Sequence, residues 1–204
     1  MSAATNMKAG VLVLSDKGFR GEREDTSGPA LLEFLREKGL PAATLVVLPD
    51  ERSRIADAMV QWADNADYDL ILTCGGTGVS PRDVTPEATH DVIATELPGF
   101  GECMRAVSLS KSPHAIVSRA TAGIRGRTLI INLPGSPRAA LENLVAVWSA
   151  VPHTVAKLQG DQTDCAAGYE RVGKPRAGPA RPVGPNSSLP KRVRSYGYEH
   201  IPVP

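Results

Sequence analysis

The chain has 204 residues, of which 42% are hydrophobic and 22% charged, with a formal net charge of +1. That length accommodates one domain with an appendage, and the near-neutral balance gives no global electrostatic case for binding nucleic acid. Three cysteines, Cys74, Cys103 and Cys165, are widely spaced and form no Cys-x-x-Cys pair, which argues against a zinc knuckle or a disulfide framework and for reduced thiols.

Short aliphatic runs alternate with amphipathic stretches, a pattern that predicts an α/β domain built as a three-layer α/β/α sandwich around a mostly parallel sheet. The first candidate strand is Ala9–Leu14. Pro29 then opens a helix with Ala30, Leu31, Phe34 and Leu35 on one face, and Gly39 ends it. Thr44–Leu48 is the second strand, and beyond Asp50 the residues Ile55, Met59 and Trp62 recur at helical spacing. Asp69–Cys74 is the third strand, and Thr85-Pro86 reads as the next helix start, with Thr85 as N-cap and Pro86 first inside. Between Pro98 and Arg127 a helix over Gly101–Leu109 and a short extended pair around Ala115–Ile124 are expected. Thr128–Leu133 is the last strand. A helix opened by Ser136-Pro137 is expected to bury Leu141, Leu144, Val145 and Trp148, with Pro152 kinking or restarting it. These stripes are structural, so Trp62 and Trp148 receive no catalytic role.

From about Asp161 periodicity disappears and Pro, Gly and basic residues accumulate, a composition poorly able to form a core. Residues 165–204 hold seven Lys or Arg against two Glu, a surplus of five, which leaves the preceding 164 residues at −4. The expectation is a folded domain over 1–164 and a disordered or surface-draped tail over 165–204.

The most informative stretch lies between the third strand and the next helix. Gly75, Gly76 and Gly78 fall within four positions, which lets backbone N–H groups approach an anion, and Thr77 adds a hydroxyl. Arg82 and Asp83 follow as a phosphate-compatible cation and a metal-compatible carboxylate. Strand, glycine loop, charged pair and helix start together describe a phosphate-handling site. Ser15-Asp16, Asp50 and Pro134-Gly135-Ser136 fall at the ends of the other strands, the edge at which open α/β sheets bind ligands. Each acidic residue also has a local reading: Asp50 as an N-cap, Asp83 as a turn residue, Asp25 as an organiser of the loop before Thr26-Ser27-Gly28-Pro29. Gathered at one sheet edge beside a glycine loop, they are better explained by a metal and phosphate site. Cys74, beside that loop, reads as a small buried residue.

The segment from Thr73 to Glu87, together with Gly10–Asp16, Asp25–Pro29, Leu48–Glu51 and Asn132–Pro137, resembles the molybdopterin adenylyltransferase family, to which the gephyrin G domain is related. The matching segments span about residues 8–160. The resemblance implies transfer of AMP from ATP to the terminal phosphate of molybdopterin with release of pyrophosphate, ATP and molybdopterin being the substrates and Mg²⁺ the cofactor. It makes Asp50 and Asp83 the catalytic, Mg²⁺-holding carboxylates. Ser15, Asp16, Asp25, Ser27, Gly28, Gly75, Gly76, Thr77, Gly78, Pro134, Gly135 and Ser136 become substrate contacts, with Arg82 and Ser108 beside them and Lys17 and Arg105 behind those. It further implies a homotrimer and transient contact with molybdopterin synthase or the molybdate-insertion enzyme. Two other functions use the same fold: a molybdopterin-binding homologue without efficient transfer, and a scaffold of gephyrin type. Neither a leader segment nor an apolar run near the ~20 residues that span a bilayer is found, so a cytoplasmic protein without membrane contact is expected.

Overall fold

The computed structural model describes residues 7–163, and the tail expected over 165–204 lies outside them. In chain order the elements are β1 (Ala9–Leu14), a one-turn α1 (Asp16–Phe19), α2 (Ser27–Glu37), β2 (Thr44–Leu48) and α3 (Arg52–Val60), which widens into a π-helical turn over Gln61–Asn65. Then come β3 (Leu70–Cys74), α4 (Thr85–Val92), β4 (Thr95–Glu96), α5 (Pro98–Leu109) and a 3-10 turn over Pro113–Val117. β5 (Ala122–Arg125), β6 (Thr128–Leu133), α6 (Pro137–Val147), a 3-10 turn over Trp148–Ala150 and α7 (Val151–Leu158) complete the order.

The six strands lie in the order β2-β1-β3-β6-β5-β4, with β2, β1, β3 and β6 parallel and β5 and β4 antiparallel at one edge. Because side chains alternate along a strand, one sequence supplies both faces. Val11, Val13, Leu70, Leu72, Leu129 and Ile131 pack with Leu31 and Leu35 of α2, Met104 of α5 and Leu144 of α6. Leu12, Leu14, Ile71 and Ile130 point the other way, onto Ile55 and Met59 of α3 and Ala88 and Val92 of α4. The sheet is therefore covered on both sides, which makes the three-layer sandwich.

Several boundaries differ from the expectations for physical reasons. α2 starts at Ser27, ahead of Pro29, because the Asp25 carboxylate accepts the Ser27 and Gly28 N–H groups at 2.9 and 3.1 Å. No extended pair forms within 115–124. Instead β5 turns through Gly126, at φ 56°, to pair with β6, and takes the two-residue β4 on its other side. On α6 the inward positions are Ala140, Leu144 and Val147, with Leu141 and Trp148 half-buried, and Val145 is 60% exposed. Pro152 restarts the helix as α7 after the 3-10 turn. Trp62 stacks on Tyr68 at 4.6 Å between centroids, and a Cβ on Gly10 would strike its ring at 2.3 Å. Trp148 meets Phe34 edge-on at 5.1 Å. Both tryptophans are packing residues. Among the described residues no helix is long and apolar enough to cross a membrane.

Candidate functional site

At the carboxyl end of β3 the chain makes a turn that only glycine can follow. Gly75 has φ 115°, and a Cβ there would stand 2.3 Å from the Leu14 carbonyl oxygen. Gly76 has φ 61°, and its Cβ would meet the Thr85 hydroxyl at 2.4 Å. Thr85 creates that constraint by bracing the loop: its Oγ1 donates to the Gly75 carbonyl at 2.8 Å and its N–H to the Gly76 carbonyl at 3.1 Å. This corrects the expectation that Thr85 caps α4. Val84 holds the cap position and Thr85, fully buried, is the first helical residue, its hydroxyl turned back to the loop. The N–H groups of Gly76 and Gly78 donate to no acceptor among the described residues.

Asp16 and Asp50 lock the ends of β1 and β2 together. The Asp16 N–H donates to Asp50 Oδ2 at 2.9 Å, and the Asp50 N–H donates to Asp16 Oδ1 at 3.0 Å. Arg82 then reaches across from the loop and donates to both Asp16 oxygens, at 3.0 and 2.8 Å. The Arg82 hydrogen bond holds the Asp16 carboxyl below its ordinary value. Burial pushes Asp50 upward; the Asp16 N–H and Arg82 pull against it, and the neighbouring Asp16 and Asp83 charges add to the rise. Asp50 is not an N-cap, a position that Glu51 occupies on α3. Asp83 closes a tight turn, its N–H donating to Ser80 O at 2.9 Å and its Oδ2 accepting the Ser80 N–H at 2.7 Å.

A fourth strand end, that of β6, completes the edge. Ser27 Oγ donates to the Gly135 carbonyl at 2.8 Å and Cys74 Sγ to the Pro134 carbonyl at 3.1 Å, tying α2 and β3 to the turn after β6. Burial pushes the Cys74 thiol up to about 12, so it is inert at neutral pH. Ser136 takes the N-cap position of α6 with no side-chain capping bond, and Pro137 follows as first helical residue.

The segments that follow these four strands line a cavity of about 510 Å³. Val13, Leu14 and Cys74 line it together with Asp50, Gly75, Gly76 and Asp83 and with Ser15, Asp25, Ser27, Gly135 and Ser136. Arg23 and Glu24 also line it, and neither was singled out from the sequence because the loop carrying them has no periodic or motif signal. Among the lining residues Arg23 is the single cation, facing four carboxylates: Glu24, Asp25, Asp50 and Asp83. Asp16, Gly28, Thr77, Gly78, Arg82 and Pro134 do not line the cavity. Gly28 is packed so tightly that a Cβ would fall 2.4 Å from Asp25 Oδ2. Ser108 sits apart on α5, donating to Asn143 Oδ1 of α6 at 2.7 Å.

Arg119, also without a local signal, contacts the glycine loop along its length. Its N–H donates to Thr77 O at 2.9 Å, Nε to Gly78 O at 2.6 Å and Nη2 to Asp83 O at 2.6 Å, while Nη1 pairs with Glu87.

Residues 10–153 match the family described as "Probable molybdopterin binding domain". The molybdopterin adenylyltransferase of Helicobacter pylori (strain ATCC 700392 / 26695) is 46% identical over 154 residues, covering 74% of this chain and 88% of that protein. Gephyrin of Dictyostelium discoideum is 36% identical over 93% of this chain, which spans 24% of gephyrin. Among solved structures, the molybdopterin biosynthesis enzyme MoaB of Thermus thermophilus superposes with a TM-score of 0.70 at 50% identity, covering 76% of this chain and 98% of that one.

Proposed function

The chain belongs to the molybdopterin-binding domain family of molybdenum-cofactor biosynthesis, and from that premise we propose that it is a molybdopterin adenylyltransferase. In this reading a phosphate oxygen of molybdopterin attacks the α-phosphorus of ATP. The bond from that phosphorus to the bridging oxygen of the β-phosphate breaks, and pyrophosphate leaves. The nucleophile is already anionic, so no general base is needed. The task is to hold two polyanions in line and to neutralise developing charge.

One observation supports this reading above the others: Asp50, Asp83, the Gly75-Gly76 turn and the Gly135-Ser136 turn meet around a single cavity of ligand size. Its charge is opposite to what a lone polyphosphate site requires, with four carboxylates against Arg23. A polyphosphate enters such a cavity only with a cation. Among the described residues no group of three His, Cys, Asp or Glu is placed to hold a metal. A pair of carboxylates suits Mg²⁺, which takes one or two from protein and completes its shell with phosphate oxygens and water. The Asp50 carboxyl, raised by burial and by the neighbouring Asp16 and Asp83 charges, fits a cation ligand. When bound, Mg²⁺ supplies charge neutralisation at the α-phosphate and the leaving group.

The protein's own residues do the rest. Asp50 and Asp83 would hold the metal, and the unengaged N–H group of Gly76, which lines the cavity, donates to a phosphate oxygen. The Ser15 hydroxyl, which already accepts from the Gly18 N–H and Arg23, can donate; the Ser27 hydroxyl, whose proton goes to the Gly135 carbonyl, can accept; and Ser136 can do either, so together they offer the donors and acceptors that a pterin edge requires. Arg82 keeps Asp16, and through it Asp50, in register. Ser108 has no part in this arrangement. The catalytic unit is proposed to reside within residues 1–164 and to assemble as a homotrimer. Incubation of the purified protein with ATP, Mg²⁺ and molybdopterin should yield adenylylated molybdopterin and pyrophosphate in equal amounts. Tight molybdopterin binding without pyrophosphate release would replace the transferase reading with that of a binding homologue.

A further inference from the structure

We propose that Arg119 is a positioning residue that clamps the 77–83 loop and thereby sets the Asp83 carboxylate over the cavity, an inference that rests on the transferase reading of Asp83.

The loop is poorly supported by its own sequence. Residues 79–82 are exposed, Val79 to 68%, and no strand or helix runs through them. Inside the loop the Ser80–Asp83 turn is closed by bonds between its own residues, the Asp83 N–H to Ser80 O and the Ser80 N–H to Asp83 Oδ2. At its start the Thr85 brace reaches Gly75 and Gly76 but no further. Toward its end, Arg82 ties to both Asp16 oxygens through a guanidinium that is 58% exposed, a pair that fastens the loop at this one position.

Arg119 bridges what those contacts leave open. Its Nε reaches the carbonyl where the loop departs, at Gly78, and its Nη2 the carbonyl where it returns, at Asp83. Its backbone N–H holds Thr77, and its remaining arm pairs with Glu87 in the first turn of α4. One planar group thus spans both ends of the excursion from Gly78 to Asp83 and anchors them to the next helix. Only guanidinium presents donors in several fixed in-plane directions; an ammonium offers one point of charge and cannot reproduce the fork. Arg119 itself does not line the cavity, and it acts through Asp83 rather than on substrate. It is placed by β5, which follows three residues later and is held by β6 and β4, so the clamp is built on the sheet.

The test uses full-length Arg119→Lys and Arg119→Ala in wild-type and Asp83→Asn backgrounds. Amide exchange in the 77–83 segment should accelerate by about tenfold or more in Arg119→Lys while β3 and β6 keep their protection. Because a misplacement of about 1 Å can lower a rate by about 100-fold, kcat should fall by about 10- to 100-fold with KM for molybdopterin little changed. The Mg²⁺ concentration giving half-maximal rate should rise. In the Asp83→Asn background the same Arg119 substitution should add almost nothing, since the residue it positions is already disabled. Unchanged exchange at 77–83 would overturn the clamp whatever the enzyme does, and an undiminished Arg119 effect in the Asp83→Asn background would overturn its coupling to Asp83. Failure of the wild type to release pyrophosphate would instead overturn the transferase reading, and with it the catalytic half of this inference alone.

Discussion

Asp50 carries two opposed demands, and their conflict yields the sharpest prediction for a single residue. Its carboxyl is shifted upward, mainly by burial, so the ionised form is penalised in the folded protein. That penalty is absent below the usual carboxylate range and develops as pH rises through it toward the folded-state value. Asp50→Asn removes the charge while its amide oxygen can still accept the Asp16 N–H. We therefore expect Asp50→Asn to melt higher than wild type near neutral pH, with the difference vanishing in acid. At the same time adenylyl transfer should drop at least ~100-fold, because a metal-holding carboxylate is worth several kcal/mol to the reaction. Melting scans at two pH values beside a pyrophosphate-release assay check both halves. Asp83→Asn should lose transfer to a similar degree while keeping the Ser80 turn, and near wild-type turnover in either variant would remove the metal assignment. Gly76→Val is expected to abolish molybdopterin binding in a titration. The steric cause is the 2.4 Å approach to the Thr85 hydroxyl, so the cradle is distorted before any anion arrives.

At the scale of elements, the glycine loop is held by the Thr85 brace, the Arg82–Asp16 pair and the Arg119 clamp, which come from three places in the chain. The brace is the most local. Thr85→Val keeps the β-branched shape but deletes the hydroxyl that donates to the Gly75 carbonyl, in a fully buried setting. Leaving a buried acceptor unpaired costs about 1–3 kcal/mol, so the melting temperature should fall and turnover with it, whereas Thr85→Ser should retain most of both. Wild-type behaviour of Thr85→Val in both assays would show that the loop stands without its brace. These contacts also mark how far the sequence could be read. Strands β1, β3 and β6 were legible within a residue because they are near-continuous aliphatic runs at the centre of a sheet covered on both faces, and the half-buried edge strand β2 was legible because Leu45–Leu48 is an equally aliphatic run. The β4–β5 edge was not, since two- and four-residue strands carry no period and depend on β6 for pairing. Within the site, glycines and acidic residues announced themselves by type and spacing. Arg82–Asp16 and Arg119–Asp83 did not, because each joins positions 66 or 36 apart through tertiary geometry alone.

For the whole molecule, two expectations concern what lies beyond one folded unit. Ile116 and Val117 are exposed beside α5 at 69% and 46%, apolar surface that suits an interface with another copy. Light scattering at micromolar concentration should report three chain masses, and a monomer would refute the trimer. The second expectation separates the enzyme from a scaffold that uses its basic end. All cavity-lining residues fall between Val13 and Pro137, and α7 closes the domain by burying Val151 and Val155 in the core. Those side chains join the same apolar layer as Val11 and Leu129, so the layer is closed by residues that precede the basic segment. Removing residues 165–204 should therefore leave adenylyl transfer within about twofold and the melting temperature nearly unchanged. The seven basic residues beyond 164 have a different use available, since clustered cations strengthen encounters with acidic partners. Any association lost on truncation should already weaken in wild type as salt shortens the Debye length from about 10 Å at 0.1 M. Turnover, melting and partner association measured side by side on the full and shortened chains separate the two roles. A large loss of turnover or stability would place the C-terminal segment in the folded unit and overturn the division at residue 164.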